Sequence, residues 1–190
     1  MIFDRHRKER IPLKNLDELM KHADKLKYTK KQKKELIEQV YSVLGETTYL
    51  TICNEEMSEL IEVTTEAINN KVDYIHMAEE LVDVEICTNV LKVLFNIKDN
   101  ELVKVDKKKK KKKSVIINSI MILTKSQQNI SKIIREKDGA RDKIKSTIEN
   151  MNEATVILQD IFKIKRKDMD KIEALKYKRL EDRITQGTLH

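Results

Sequence analysis

The sequence predicts an all-α fold, an antiparallel helical bundle, on three observations. Only three glycines (Gly45, Gly139, Gly187) and one proline (Pro12) occur in 190 residues; a sheet-rich chain of this length needs many more turn-formers. Apolar residues return every three or four positions along most of the chain, the spacing of one helix face. Charged residues make up 37% and apolar residues 39%, a mixture suited to amphipathic helices around a modest core.

The helices follow in order. Residues 13 to about 28 carry Leu16, Leu19, Met20, Ala23 and Leu26 on one face. Thr29 can cap a second helix with Leu36, Ile37, Val40 and Leu44 inward, and Gly45 ends it. Residues 1–46 are thus expected as an N-terminal helical appendage. Thr47 or Thr48 opens a third helix, to about Asn69 or Asn70, with Leu50, Cys53, Met57, Leu60, Ile61, Thr64 and Ile68 inward. Asp73 caps a fourth, residues 74 to about 96, with Met77, Leu81, Val84, Cys87, Val90, Leu91 and Leu94 on its apolar side. The loop between them is short, so residues 47–97 form an antiparallel hairpin. Residues 98–114 read as a lysine-rich linker. Residues 115–190 hold a second hairpin (about 115–137 and 140–162) and a basic helix from about 167 to 184.

The second hairpin looks like a worn copy of the first. A shift of 67 lays VEICTNVLKVLFNI (84–97) over MNEATVILQDIFKI (151–164), matching Thr88, Leu91, Phe95 and Ile97 with identical residues. A shift of 70 pairs residues 55–63 with 125–133 in the same inward phase. Internal duplication and a coincidence of inward periods both account for this. Each hairpin alone exposes an apolar stripe, so the two should cover each other as a pseudo-dimer within one chain.

The net charge of +7 equals the unbroken run Lys107–Lys113, so the rest of the chain is neutral and the basic character is local. A solvated linker is the favoured reading of that run. Non-specific polyanion binding is the alternative, since no aromatic residue is interleaved to stack bases. No stretch approaches ~18 apolar residues, which excludes a membrane span, and MIFDRHRKER lacks a signal-peptide core; the expected location is the cytoplasm. Cys53 and Cys87 lack zinc spacing and read as buried free thiols. The three glycines are too widely spaced for a Walker or dinucleotide loop. His6, His22, His76 and His190 are scattered, with His76 expected on the outer part of its helix.

The informative chemistry is acidic. NEEMSEL carries Glu55, Glu56 and Glu59; AEELVDVEI carries Glu79, Glu80, Asp83 and Glu85. Residues three apart share a helix face, so Glu56/Glu59 and Glu80/Asp83 form two carboxylate pairs at similar height on the two arms of the hairpin. Four converging carboxylates repel one another, and burial raises that cost. A hard divalent cation removes it, and Mg²⁺ keeps waters that a phosphate can replace. A solvated acidic face is the plainer reading of any one ExxE; apolar neighbours and the matched pairs argue against it.

These residues resemble the MazG-like all-α nucleoside triphosphate pyrophosphohydrolases, which include dimeric dUTPases, dCTPases and phosphoribosyl-ATP pyrophosphatase. The pattern is Glu55-Glu56-x-x-Glu59, twenty residues, then Glu80-x-x-Asp83; AEELVDVEICTNVLKVLF is similar to phage and firmicute members. KYKRLEDRI resembles their closing basic helix. The likeness covers about 48–97 and 171–184. It implies Mg²⁺-dependent (or Mn²⁺-dependent) cleavage of the α–β phosphoanhydride of a nucleoside triphosphate, with Glu56, Glu59, Glu80 and Asp83 as metal ligands. Glu55 would orient water, and Lys176, Arg179 and Arg183 on one face of the last helix would hold phosphates. In the second hairpin Ser126, Asn129, Thr147 and Asn150 stand at the four ligand positions, so one metal site per chain is expected, however many chains associate. The competing readings are a non-catalytic helical interaction or regulatory protein that retains the fold, and a polyanion binder acting through the lysine run.

Overall fold

The computed structural model describes residues 21, 23–69, 72–103, 105, 113–136 and 140–189. Most of the first predicted helix, residues 107–112 of the lysine run, His6, His22 and His190 lie outside the described residues. Among those described, the chain is helical and has no strand: α1 (Lys30–Asn69), α2 (Tyr74–Leu94), α3 (Lys113–Glu136), α4 (Ala140–Ile161) and α5 (Arg166–Thr185), with a short 3₁₀ turn at Asp99–Glu101.

The helix starts follow the expected caps. The Thr29 hydroxyl accepts from the Gln32 N–H (3.2 Å) while the Gln32 side chain takes the Thr29 N–H (2.9 Å), a reciprocal box that satisfies end donors. Asp73 Oδ1 accepts from the Ile75 and His76 N–H groups, both at 3.1 Å. The predicted second and third helices are the two arms of α1, broken at Gly45 with φ 76° and ψ 168°. That backbone state favours glycine, and a Cβ there would meet nothing within 4 Å, so conformation alone selects the residue. Residues 30–45, expected as part of an appendage, contribute Ile37 and Val40 to the same core as both hairpins.

The two hairpins pack like on like: α1 lies on α3 and α2 on α4, while α5 lies on α1 and α2. Asn54 Nδ2 donates to Ser131 Oγ (3.2 Å), and Gln127 Nε2 donates to Ser58 Oγ (2.6 Å) and the Asn54 carbonyl (3.0 Å). Residue numbers rise on one helix as they fall on the other, so α1 and α3 cross antiparallel. The apolar stripes cover each other there, with Leu60, Leu91, Ile130 and Leu158 fully buried.

The spacing of 67 recurs in the geometry. Asn96 and Lys163 are the two positive-φ residues other than glycine (48° and 55°) among those described. The Ile97 N–H reaches back to the Lys92 carbonyl and the Ile164 N–H to that of Gln159, each at 2.9 Å; α2 and α4 therefore end in the same six-residue cap. Thr88 and Thr155 are both buried and donate to the carbonyl four residues back.

A shared core predicts one cooperative unfolding transition. Leu91→Ala and Leu158→Ala, at matched positions in different hairpins, should each lower its stability by ~2–5 kcal/mol. Chemical denaturation followed by circular dichroism checks this; two separate transitions, each sensitive to one variant, would show independent hairpins.

Candidate metal centre

The acid centre is carried in by packing. Met57 and Leu60 on α1, and Leu81 and Val84 on α2, are fully buried; burying each such side chain is worth ~1.5–3 kcal/mol. Their burial fixes the rotation of both helices, and the acids next to them in sequence have nowhere else to go. One carboxylate oxygen from each of Glu56, Glu59 and Glu80 lies within 4.8 Å of the other two. Glu56 is 1% exposed and Glu80 7%.

Three of the four expected metal ligands thus converge. The fourth, Asp83, is buried beside them, and its Oδ2 pairs with the Lys176 ammonium of α5. Glu55, half-buried next door, has an Oε2 without a hydrogen-bond partner among the described residues, and so has Glu80. Of the three basic residues expected to hold phosphates, Lys176 pairs with Asp83. Arg179 is exposed, with its charge felt at Glu79, and one Arg183 nitrogen donates to the Thr188 carbonyl at 3.4 Å.

Burial dominates the electrostatics. It pushes Glu56 up to about 7, aided by the charge of Asp83. Glu59 moves up for the same reason, with Glu80 adding repulsion. Glu79 also rises through burial, with Lys176 opposing. Asp83 is raised by burial against the pull of Lys176. Burial favours the neutral amine of Lys176, yet the carboxylates of Asp83, Glu79 and Glu56 outweigh it and hold the lysine charged.

Three participants were not legible in the sequence. His76, expected outward, places Nε2 3.2 Å from Glu80 Oε1; its i,i+4 spacing to Glu80 was the available signal. Arg166 grips Glu85 with two bonds of 2.7 and 2.8 Å, removing that acid from the cluster. Glu173 on α5 pairs with Lys33 at 2.7 Å. The last two contacts join segments 81 and 140 residues apart, which no local pattern encodes.

The second hairpin supplies an internal control. At the aligned positions Asn129 Nδ2 donates to Thr147 Oγ1 at 3.4 Å, where Glu59 and Glu80 meet in the first hairpin. Ser126 is buried as Glu56 is, and its hydroxyl donates to the Ile122 carbonyl. The same junction closes with neutral groups, so the fold itself does not require acids there.

Compared with known protein families, with curated proteins and with solved structures, the chain matches none.

The raised acids give a signed pH dependence. Each of these groups binds a proton more tightly when folded, so its stabilising effect is full below the unfolded value and is lost as pH rises through the folded one. In a chelator, stability should fall between about pH 4.5 and 7, by up to ~3 kcal/mol for Glu56. Glu56→Gln should flatten that slope, as measured by urea unfolding across the range. A stability that climbs from pH 4.5 to 7 would contradict the buried-acid description.

Proposed function

We propose that the protein is a Mg²⁺-dependent nucleoside triphosphate pyrophosphohydrolase, converting a nucleoside triphosphate to the monophosphate and pyrophosphate. The observation that carries this reading is the convergence of three carboxylates, the buried Glu56 and Glu80 and the half-buried Glu59. Two ligand oxygens on one octahedral Mg²⁺ sit ~3–4 Å apart, so the 4.8 Å limit of the cluster needs only small side-chain adjustments. The unpartnered Oε2 of Glu80 is the kind of atom that a cation would satisfy. Mn²⁺, with the same taste for carboxylates, fits as well. When bound, the ion would neutralise phosphate charge and lower the pKa of a coordinated water.

The chain's own residues would divide the remaining work. Glu56, Glu59 and Glu80 hold the ion, and His76 steadies Glu80 through its 3.2 Å contact. Glu55, with its buried free oxygen, orients the attacking water. Asp83 holds Lys176 at the edge of the centre, and that ammonium is a cation available to a phosphate oxygen. The resemblance to MazG-like enzymes over about 48–97 and 171–184, with its motif at residues 55–83, supports the same reaction class. Which base or sugar is taken depends on walls built from several helices.

Pyrophosphate release from a panel of ordinary and modified nucleoside triphosphates tests the reading. Turnover should require Mg²⁺ or Mn²⁺, and Glu56→Gln and Asp83→Asn should each reduce it at least 100-fold while far-UV circular dichroism is unchanged. Near-normal activity in either variant would refute the site. Metal binding without turnover on any substrate would favour the non-catalytic reading.

A further inference from the structure

We infer that a second, lysine-lined cleft binds a nucleotide-sized molecule carrying several phosphate groups, independently of the acid centre. The cleft encloses about 640 Å³ where the first turn of α1 meets the end of α2 and the 3₁₀ turn, within the ~300–1,000 Å³ range of small-molecule sites. Three elements send lysines to it: Lys30, Lys33 and Lys34 from α1, Lys92 from the last turn of α2, and Lys98 from the segment after it. The lining holds one carboxylate, Asp99, which faces Lys92 at 3.1 Å and Lys30 at 3.8 Å. Lys33 is held by Glu173 at 2.7 Å, and Glu38 on the outer side of α1 touches Lys34 at 3.5 Å. Positive charge therefore remains in excess inside the concavity.

Ammonium groups brought to one cleft from separate elements repel one another; Lys30, Lys34 and Lys98 stand at its exposed rim, and Lys33 and Lys92 lie deeper. A multiply charged anion removes that repulsion by meeting several of them at once, as point-charge contacts that lysine makes with phosphate. The positive end of the α1 dipole, whose first residue is Lys30, adds to the attraction. The rest of the lining is not basic. Ile37, Val93 and Ile97 offer an apolar floor and Asn89 an amide, which suits a flat organic group with polar edges attached to the phosphates. A nucleic-acid backbone would call for a charged surface track rather than a floored concavity. The cleft is distinct from the acid centre: on α2, Lys92 lies twelve residues past Glu80, ~18 Å along the axis.

Calorimetric titration of the full chain with ATP and with inorganic tripolyphosphate, both in excess EDTA, tests this without involving the metal centre. One ATP per chain is expected, bound more tightly than tripolyphosphate because of the floor. The triple variant Lys30→Gln/Lys34→Gln/Lys98→Gln should weaken ATP at least tenfold. The charge-matched Lys125→Gln/Lys132→Gln/Lys145→Gln should change it less than threefold, and Glu56→Gln should leave it unchanged. Five of these lysines are exposed and Lys145 is half-buried, and far-UV circular dichroism of each variant checks that it folds. Equal losses in the two triple variants, or equal affinity for ATP and tripolyphosphate, would overturn the proposal. So would loss of binding when Lys107–Lys113 are replaced by Gly/Ser, or binding confined to a DNA duplex. Because no step uses Mg²⁺ or turnover, failure here leaves the pyrophosphohydrolase reading standing, and the reverse also holds.

Discussion

Everything around the first hairpin answers to one constraint: carboxyl groups are held where water hardly reaches. Glu56, Glu80 and Asp83 are all buried, and an uncompensated buried charge costs several kcal/mol. The chain meets part of that cost with α5. Lys176 neutralises Asp83, Arg166 neutralises Glu85, and the pairing of Lys33 with Glu173 ties α5 back to α1. At the start of α5 Tyr74 donates to Asp168 Oδ2 and accepts the Lys165 N–H, each at 2.8 Å. Apolar contacts through Met169, Ile172, Tyr177 and Leu180 supply the adhesion, and the ion pairs set where along the hairpin α5 sits. After this compensation the charges of Glu59 and Glu80 still repel, which raises Glu59, and Glu80 keeps an Oε2 without a hydrogen-bond partner among the described residues. That repulsion is the physical case for a cation.

The second hairpin sharpens the case by contrast. It repeats the buried threonine, the inward leucine and the left-handed cap of the first at a fixed spacing, and closes the matching junction with Asn129 and Thr147. Among the described residues it has no counterpart of α5, which contacts α1 and α2. Within those residues, acids and covering helix occur together on one hairpin and are missing together at the matched positions of the other. A structural role in holding the bundle would apply to both hairpins alike; a ligand site needs only one.

Much of the fold could be read in advance because it rests on local signals. The 3.6-residue period, the caps at Thr29 and Asp73, and the break at Gly45 each involve residues within a turn or two of one another. The pairing of the acids was legible too, since i,i+3 spacing on two arms of a short-looped hairpin leaves little freedom. What could not be read depends on long-range packing. The capture of Asp83 by Lys176 needs the rotation of α5 about its axis, whereas the contact of His76 with Glu80 is local to α2 and was within reach of its i,i+4 spacing. Lys30, Lys34, Lys92 and Lys98 are unremarkable in a chain with 39 basic residues, and become a cleft only once the ends of α1 and α2 are adjacent.

The central claim is that one hairpin of each chain holds one divalent cation on Glu56, Glu59 and Glu80. Titrating the full-length protein with Mn²⁺, with free ion counted by electron paramagnetic resonance, tests it most directly. The account predicts a single tight site per chain that Mg²⁺ displaces and that Glu59→Gln weakens at least tenfold. No tight binding, two equivalent sites per chain, or a site indifferent to Glu59→Gln would contradict it.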